Sequence, residues 1–186
     1  MQVKYIADLH LYDVSSVEWR PTMVNLDYYA NNLVESWNAF TEKDDTVIIV
    51  GDVGVLCNKT LKILKSLYGN KVLVKGNHDL TWGRNLYTCG VFQGVYDSLI
   101  STDLHIQHVP TEGTNSFNKF YIHGHHHRYD MPGMYNKLRS YVQDVYRLNC
   151  AADLNNHRPC TLQELMLNKE LMIERYKGVG IIKEDK

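Results

Sequence analysis

The chain has 186 residues, 44% of them apolar and 22% charged, with a formal net charge of −1. That length suits one domain, expected over residues 1–186, with a core large enough to need no staples. A charge this close to zero excludes general attraction to nucleic acid or an anionic membrane, and leaves nucleic acid only as a candidate substrate. In chain order, "QVKYIA" reads as a first strand. Leu26, Tyr29, Ala30, Leu33, Val34, Trp37 and Phe40 then mark one face of an amphipathic helix. "EKDD" is a polar turn and "TVIIV" a buried strand. Leu61, Leu64 and Leu67 predict a second helix ended by Gly69-Asn70, and "KVLV" is another buried strand. The first eighty residues thus predict right-handed parallel crossovers. "YDSLI", "LHIQHV", "KFYIH" and "VYRLNC" follow as strands of a second, antiparallel or mixed sheet with little helix between them. Thr161 and Glu164 form a capping box opening a late helix through about Arg175, and "IIKEDK" is read as a short strand with a charged tail.

The longest apolar runs are too short to cross a bilayer, and "MQVKYIADLH" lacks the apolar segment of a signal peptide. The expected location is the cytoplasm, with no membrane partner. Cys57, Cys89, Cys150 and Cys160 are widely and irregularly spaced, which argues against a disulfide framework or a thiolate zinc site.

The informative residues stand just after the apolar strands. Asp8 and His10 follow "YIA", Asp52 follows "VIIV", and Asn77, His78 and Asp79 follow "VLV". His108 follows "HIQ", and "HGHHH" (123–127) follows "YI". In open α/β sheets, ligands bind at the carboxyl ends of strands. A lone Asp or His there is usually a cap or turn residue, but five strands delivering such residues at one end point to a metal site. Carboxylates, imidazoles and a carboxamide without thiolate suit Mn²⁺, with Fe, Zn²⁺ or Mg²⁺ as alternatives. The donors are too many for one tetrahedral ion. Two divalent metal ions about 3.5–4 Å apart, sharing a carboxylate, would use them and clamp a phosphoryl group.

Asp8-x-His10, Gly51-Asp52, Gly76-Asn77-His78-Asp79, His108 and Gly124-His125-x-His127 resemble the five-block signature of the calcineurin-like metallophosphoesterases. The likeness extends to the small stand-alone bacterial and phage members through Arg20-Pro21, Trp37-Asn38, "DDTV" and "LNC…RPCTLQEL". The resemblance implies a four-layer α/β/β/α sandwich of two mixed sheets flanked by helices. It implies Asp8, His10, Asp52 and His127 around a first ion, with Asp52 bridging to a second held by Asn77, His108 and His125. His78 would stand beside the phosphate and assist the leaving group, after attack by a hydroxide bridging the ions. Alternate residues of an extended segment share a side, which sets His125 and His127 apart from His126. His123 is expected behind the ligands, Gly124 to let the backbone pass close to the ions, and His105 and His157 to be ordinary histidines.

Two positions depart from that pattern. Many relatives carry an Asp three residues after the bridging one, paired with the catalytic histidine; here it is Val55, so the orientation of His78 is expected to come from Asp79 or from elsewhere, or to be looser. The first block continues as His10-Leu11-Tyr12-Asp13 where small relatives often have a second histidine. Asp13 near the site would repel a dianionic monoester and so favours a phosphodiester, although a plain surface position is its alternative. The implied activity is a two-metal phosphoesterase with a phosphate ester as substrate. The rivals are a non-catalytic scaffold of the same fold, a phosphomonoesterase, and a protein phosphatase, whose usual arginines after the second block are missing from "GDVGVLCNK".

Overall fold

The computed structural model describes residues 1–182 apart from 19, 21, 22, 24, 112–119, 128 and 130–132. β1 (Val3–Ile6), β2 (Thr46–Val50), β3 (Asn70–Val74) and β4 (Gly94–Tyr96) form a fully parallel sheet in that order. α1 (Leu26–Ala39), α2 (Asn58–Ser66) and the single turn α3 (Asn85–Thr88) lie in the connections between them. β5 (Leu99–Ile100), β6 (Leu104–Ile106), β7 (Phe120–His123) and β8 (Arg147–Asn149) form the second sheet. Its β5–β6 pair is antiparallel, and its other two pairs are parallel. α4 (Tyr135–Gln143) lies between β7 and β8, and α5 (Leu162–Gly178) follows β8.

Strand parity builds the layers. Ile6, Val47, Ile49 and Leu73 point to one side of the first sheet and pack with Leu33, Trp37 and Leu64 of α1 and α2. Tyr5, Ile48, Val50 and Val74 point to the other side and meet Ile106, Ile122 and Leu148 of the second sheet. Both faces of a parallel sheet are thereby covered, as such sheets require. Leu165 of α5 joins the inter-sheet cluster, while Tyr176 packs with Leu138 and Tyr141 of α4. The result is an α/β/β/α sandwich. The free edge of β1 is closed by the returning chain, with Ala7 N–H donating to Cys150 O and Tyr5 N–H to Cys160 O. All four cysteines are free; Cys150 and Cys160 are buried in the core.

Three sequence expectations need correction. "YDSLI" is not one strand of the second sheet. Tyr96 ends β4 in the first sheet, and Leu99 begins β5 in the second, so the chain changes sheets across Asp97 and Ser98. The stretch between β7 and β8 contains a helix, α4. Parallel neighbours cannot be joined by a hairpin and need a crossover of this kind. Ile181 and Ile182 form a bend and no strand; the rest of "IIKEDK", like Pro21, lies outside the described residues.

The sequence motifs fix connections. Trp37 Nε1–H donates to Tyr68 O, and Asn38 pairs with both Ser66 O and Tyr68 N–H, tying α1 to the turn before β3. Asp45 accepts N–H bonds from Gln2 and Glu42 and pairs with Lys4 Nζ at 2.8 Å, binding the starts of β1 and β2 together. Thr161 and Glu164 make the reciprocal capping box that opens α5.

Candidate metal centre

β1, β2, β6 and β7 end at Ile6, Val50, Ile106 and His123. Asp8, Asp52, His108 and His125 each stand two residues further on, so one offset delivers four side chains. The backbone bends sharply to do this. Asp8, His10, Asp52 and His125 have φ of 59°, 43°, 55° and 66°. Left-handed backbone in non-glycine residues costs on the order of 1–3 kcal/mol each and persists where the surroundings enforce it. Two glycines make room. A Cβ on Gly124 would lie 2.6 Å from Asp8 Oδ2, and one on Gly76 would collide with Asp52 Oδ1.

Two groups of donors result. Asp8, His10 and His127 form one; Asp52, His108 and His125 form the other, with the donor atoms of each within 4.8 Å of one another. Asn77 joins the second group, its Oδ1 lying 3.1 Å from His108 Nε2. Asp52 Oδ2 faces both groups, at 3.0 Å from His108 Nε2 and 3.7 Å from His10 Nε2. The groups also meet through Asp8, whose carboxylate accepts the backbone N–H of His125 at 2.9 Å. Asp8, His10, Asp52 and His108 are each no more than 1% exposed. His125 and His127 are half-buried, and Asn77 is exposed.

Behind the imidazoles stands a row of acceptors. His10 Nδ1 lies 3.0 Å from Asp13 Oδ2, His127 Nδ1 3.0 Å from Asp153 Oδ2, and His108 Nδ1 2.7 Å from Val50 O. Carboxylates and carbonyls only accept, so each Nδ1 carries the proton and each Nε2 is turned to the centre. This is the usual support of an ion-binding histidine. Arg20 adds a further layer, donating from Nε to Asp153 at 2.6 Å and from Nη2 to Asp8 O at 2.7 Å. In the sequence Arg20 stands out only as part of a motif, and Asp153 not at all. The available signal was its place shortly after β8, the same strand-end logic with a longer offset.

The charges are strongly coupled. Burial resists ionisation of Asp52, but the His108 hydrogen bond and charge outweigh it and hold the carboxyl near about 2. Burial likewise opposes a charged His108, yet the Asp52 hydrogen bond and the charges of Asp8 and Asp52 push it up to about 9. His10 goes the other way, down to about 4, because burial exceeds the opposing pull of Asp8. The donor chemistry, the inward Nε2 atoms and the cluster of buried carboxylates fit divalent cations.

Two expectations at the site change. Asp79 does not orient His78. Its buried carboxylate accepts backbone N–H bonds from Asp52, Val53 and Gly76, each at 2.8 Å, and braces two ligand loops against each other. The carboxylate facing the His78 ring is Asp13, whose Oδ2 is 3.8 Å from His78 Nδ1. Nor is Asp13 a surface residue. It is 7% exposed, and its Oδ1 accepts from Ser15 N–H and Oγ–H. With its oxygens turned to His10, His78 and Ser15, it stands beside the first donor group, the placement on which the sequence argument for diesters depends.

His78 lies at the open side, its side chain 44% exposed and its ring edge-on to His10 at 5.0 Å. The donor atoms of His10, Asp13 and His78 also lie within 4.8 Å of one another, but this third group shares His10 with the first. Val55 is exposed and supplies no polar group. His126 belongs to neither ligand group; burial and the Lys137 charge lower its pKa to about 3. The parity argument for this stretch gives the wrong reason, however. His125 is left-handed, and His126 N–H turns back to Gly124 O at 2.8 Å, so the segment is not extended. His123 is fully buried, with Nδ1 2.8 Å from Gly124 O. His105 and His157 sit edge-on to Tyr121 and Tyr29.

Comparison with known proteins gives three matches. A sequence model of a family described as calcineurin-like phosphoesterase matches residues 1–181. The uncharacterized protein MJ1445 of Methanocaldococcus jannaschii is 26% identical over 192 residues, covering 98% of this chain and 97% of that protein. A crystal structure of a protein of unknown function, AQ665 from Aquifex aeolicus, superposes with a TM-score of 0.64 at 22% identity. It covers 93% of this chain and 97% of its own, a likeness that concerns the fold.

Proposed function

Since the chain belongs to the calcineurin-like phosphoesterase family, we propose that it hydrolyses a phosphate ester with two divalent metal ions held at this centre. The observation that carries the reading is the convergence of two donor groups on Asp52. Asp8, His10 and His127 would hold one ion, Asn77, His108 and His125 the other, and Asp52 both. The ions, Mn²⁺ foremost, would supply an activated water and neutralise phosphoryl oxygens. The chain's own part is positioning. Asp13, Asp153 and Val50 O hold three imidazoles with Nε2 inward. Asp79 fixes the loop carrying Asp52 relative to the loop carrying Asn77 and His78. His78 stands outside the two main groups, free to hold or deliver a proton at a leaving oxygen, with Asp13 as its nearest carboxylate.

The test is turnover of bis-p-nitrophenyl phosphate, p-nitrophenyl phosphate and 2′,3′- and 3′,5′-cyclic nucleotides after Mn²⁺ loading. His78→Ala should keep two ions per chain and lose about 10²–10⁴ in kcat, the range for a positioned acid or base. The loss should be smallest with p-nitrophenolate as leaving group. Asp52→Asn should lower occupancy at both sites, and unchanged affinity for two ions would remove its bridging role. Absence of turnover across the whole panel would leave the scaffold reading in its place.

A further inference from the structure

A pocket of about 190 Å³ opens beside the centre, between α4 and the segments following β6 and β7. A water takes up roughly 30 Å³ in the liquid, so the space admits a group several times larger. Its lining includes His125 and His126 together with Lys137, Ser140 and Arg147. No Asp or Glu lines it among the described residues.

Arg147 is the informative member. It is 7% exposed, and among the described residues its Nε meets no hydrogen-bond acceptor and its Nη atoms reach only Ser140 Oγ and Thr111 O, both at 3.3 Å. Its guanidinium lies 6.0 Å from the Tyr121 ring centroid. A buried charge normally has a charged partner, because its desolvation is otherwise uncompensated. Among the described residues the polar contacts of Arg147 are long and neutral, and the neighbouring lysine is of like sign. Fixed guanidinium forks are suited to phosphate.

We infer that this pocket binds a second phosphoryl group of the substrate, so the ester cleaved at the metal centre is one of at least two phosphates on the same molecule. The hydrolytic half of that statement rests on the function proposed above; the binding half rests on the pocket alone. His125 borders both places, so one molecule can reach from the ions to Arg147.

Adenosine 3′,5′-bisphosphate and adenosine 5′-monophosphate compare two phosphates with one. In the Mn²⁺-loaded protein, kcat/KM should favour the bisphosphate, and Lys137→Ala should reduce that preference by about tenfold, as expected for loss of one charge-assisted contact. Turnover of bis-p-nitrophenyl phosphate should be unaffected by the same change. Titration calorimetry of the metal-free protein with the bisphosphate should show a matching loss of affinity in Lys137→Ala and a larger one in Lys137→Glu. Lys137 is exposed, so both variants should fold; Arg147→Gln, checked by circular dichroism, should reproduce the loss. If nothing is turned over, the phosphoesterase reading fails, while the titration still decides the pocket. A 5′-phosphorylated dinucleotide run in parallel separates a nucleic-acid end from a free nucleotide, the one more sensitive to Lys137→Ala naming the source. Indifference of both ligands to Lys137→Ala and Lys137→Glu overturns the proposal.

Discussion

Asp153 touches no substrate in the proposed reaction, yet it holds His127 at 3.0 Å and is itself held by Arg20. Loss of such a support typically costs 10–100-fold in metal affinity or activity. Asp153→Ala should therefore weaken Mn²⁺ binding by about that factor, read by competition with a fluorescent chelator. Asp13→Asn should do the same through His10 and also alter the pH profile of kcat, because His78 faces the same oxygen. An unchanged profile would separate Asp13 from His78. The seven candidate donor positions stand out in the sequence because each follows an apolar strand by two to four residues, and the family resemblance picks His125 and His127 out of the histidine cluster. Asp13 and Asp153 were not legible as supports, since nothing in a linear pattern says which carboxylate lies behind which imidazole. Asp79 misled for the related reason that adjacency to His78 in the chain is not adjacency of the side chains.

The connections were read well where helix and strand periodicity was strong and poorly where it was broken. α1 is a four-turn amphipathic helix and was foreseen to within a residue of its end. α4 has nine residues, several of them polar, and its need arises from the parallel pairing of β7 with β8, which a sequence does not display. "YDSLI" looks continuous because apolar residues flank Asp97-Ser98, although the two halves serve different sheets. At the opposite end of the first sheet, Asp45 offers a test of how β1 and β2 are tied. Burial disfavours its charge, but Lys4 and the N–H groups of Glu42 and Gln2 win and hold its pKa at about 2. A depressed carboxylate stabilises the fold above its unfolded pKa, about 3.9, and loses that contribution as pH falls through the folded value. Asp45→Asn should accordingly lower Tm at pH 7, with the gap from the parent protein closing between about pH 4 and pH 2. A gap independent of pH would mean that shape, and not charge, is what Asp45 supplies.

Across the whole molecule, the donors come from both sheets. Asp8, His10, Asp52 and Asn77 follow strands of the first, and His108, His125 and His127 follow strands of the second. Asp8 and His125 are 117 positions apart in the chain and meet only where the sheets abut. No local fragment of the unfolded chain contains a complete site, so ions meet at most the weak histidine tract 123–127 until the sheets have docked. Mn²⁺ at 100 times its dissociation constant should add up to about 2.7 kcal/mol of stability per occupied site, less whatever the unfolded histidine tract binds. If the sheets dock only after the folding transition state, that gain should come almost entirely from slower unfolding, with the refolding rate unmoved. Stopped-flow refolding with and without Mn²⁺ measures this directly, and faster refolding in Mn²⁺ would mean that the site forms early. The centre would then act as a latch as well as a reagent. An unfolding chain would have to release its ions before the sheets could part, so chelation, and not heat alone, would set how long a folded molecule survives.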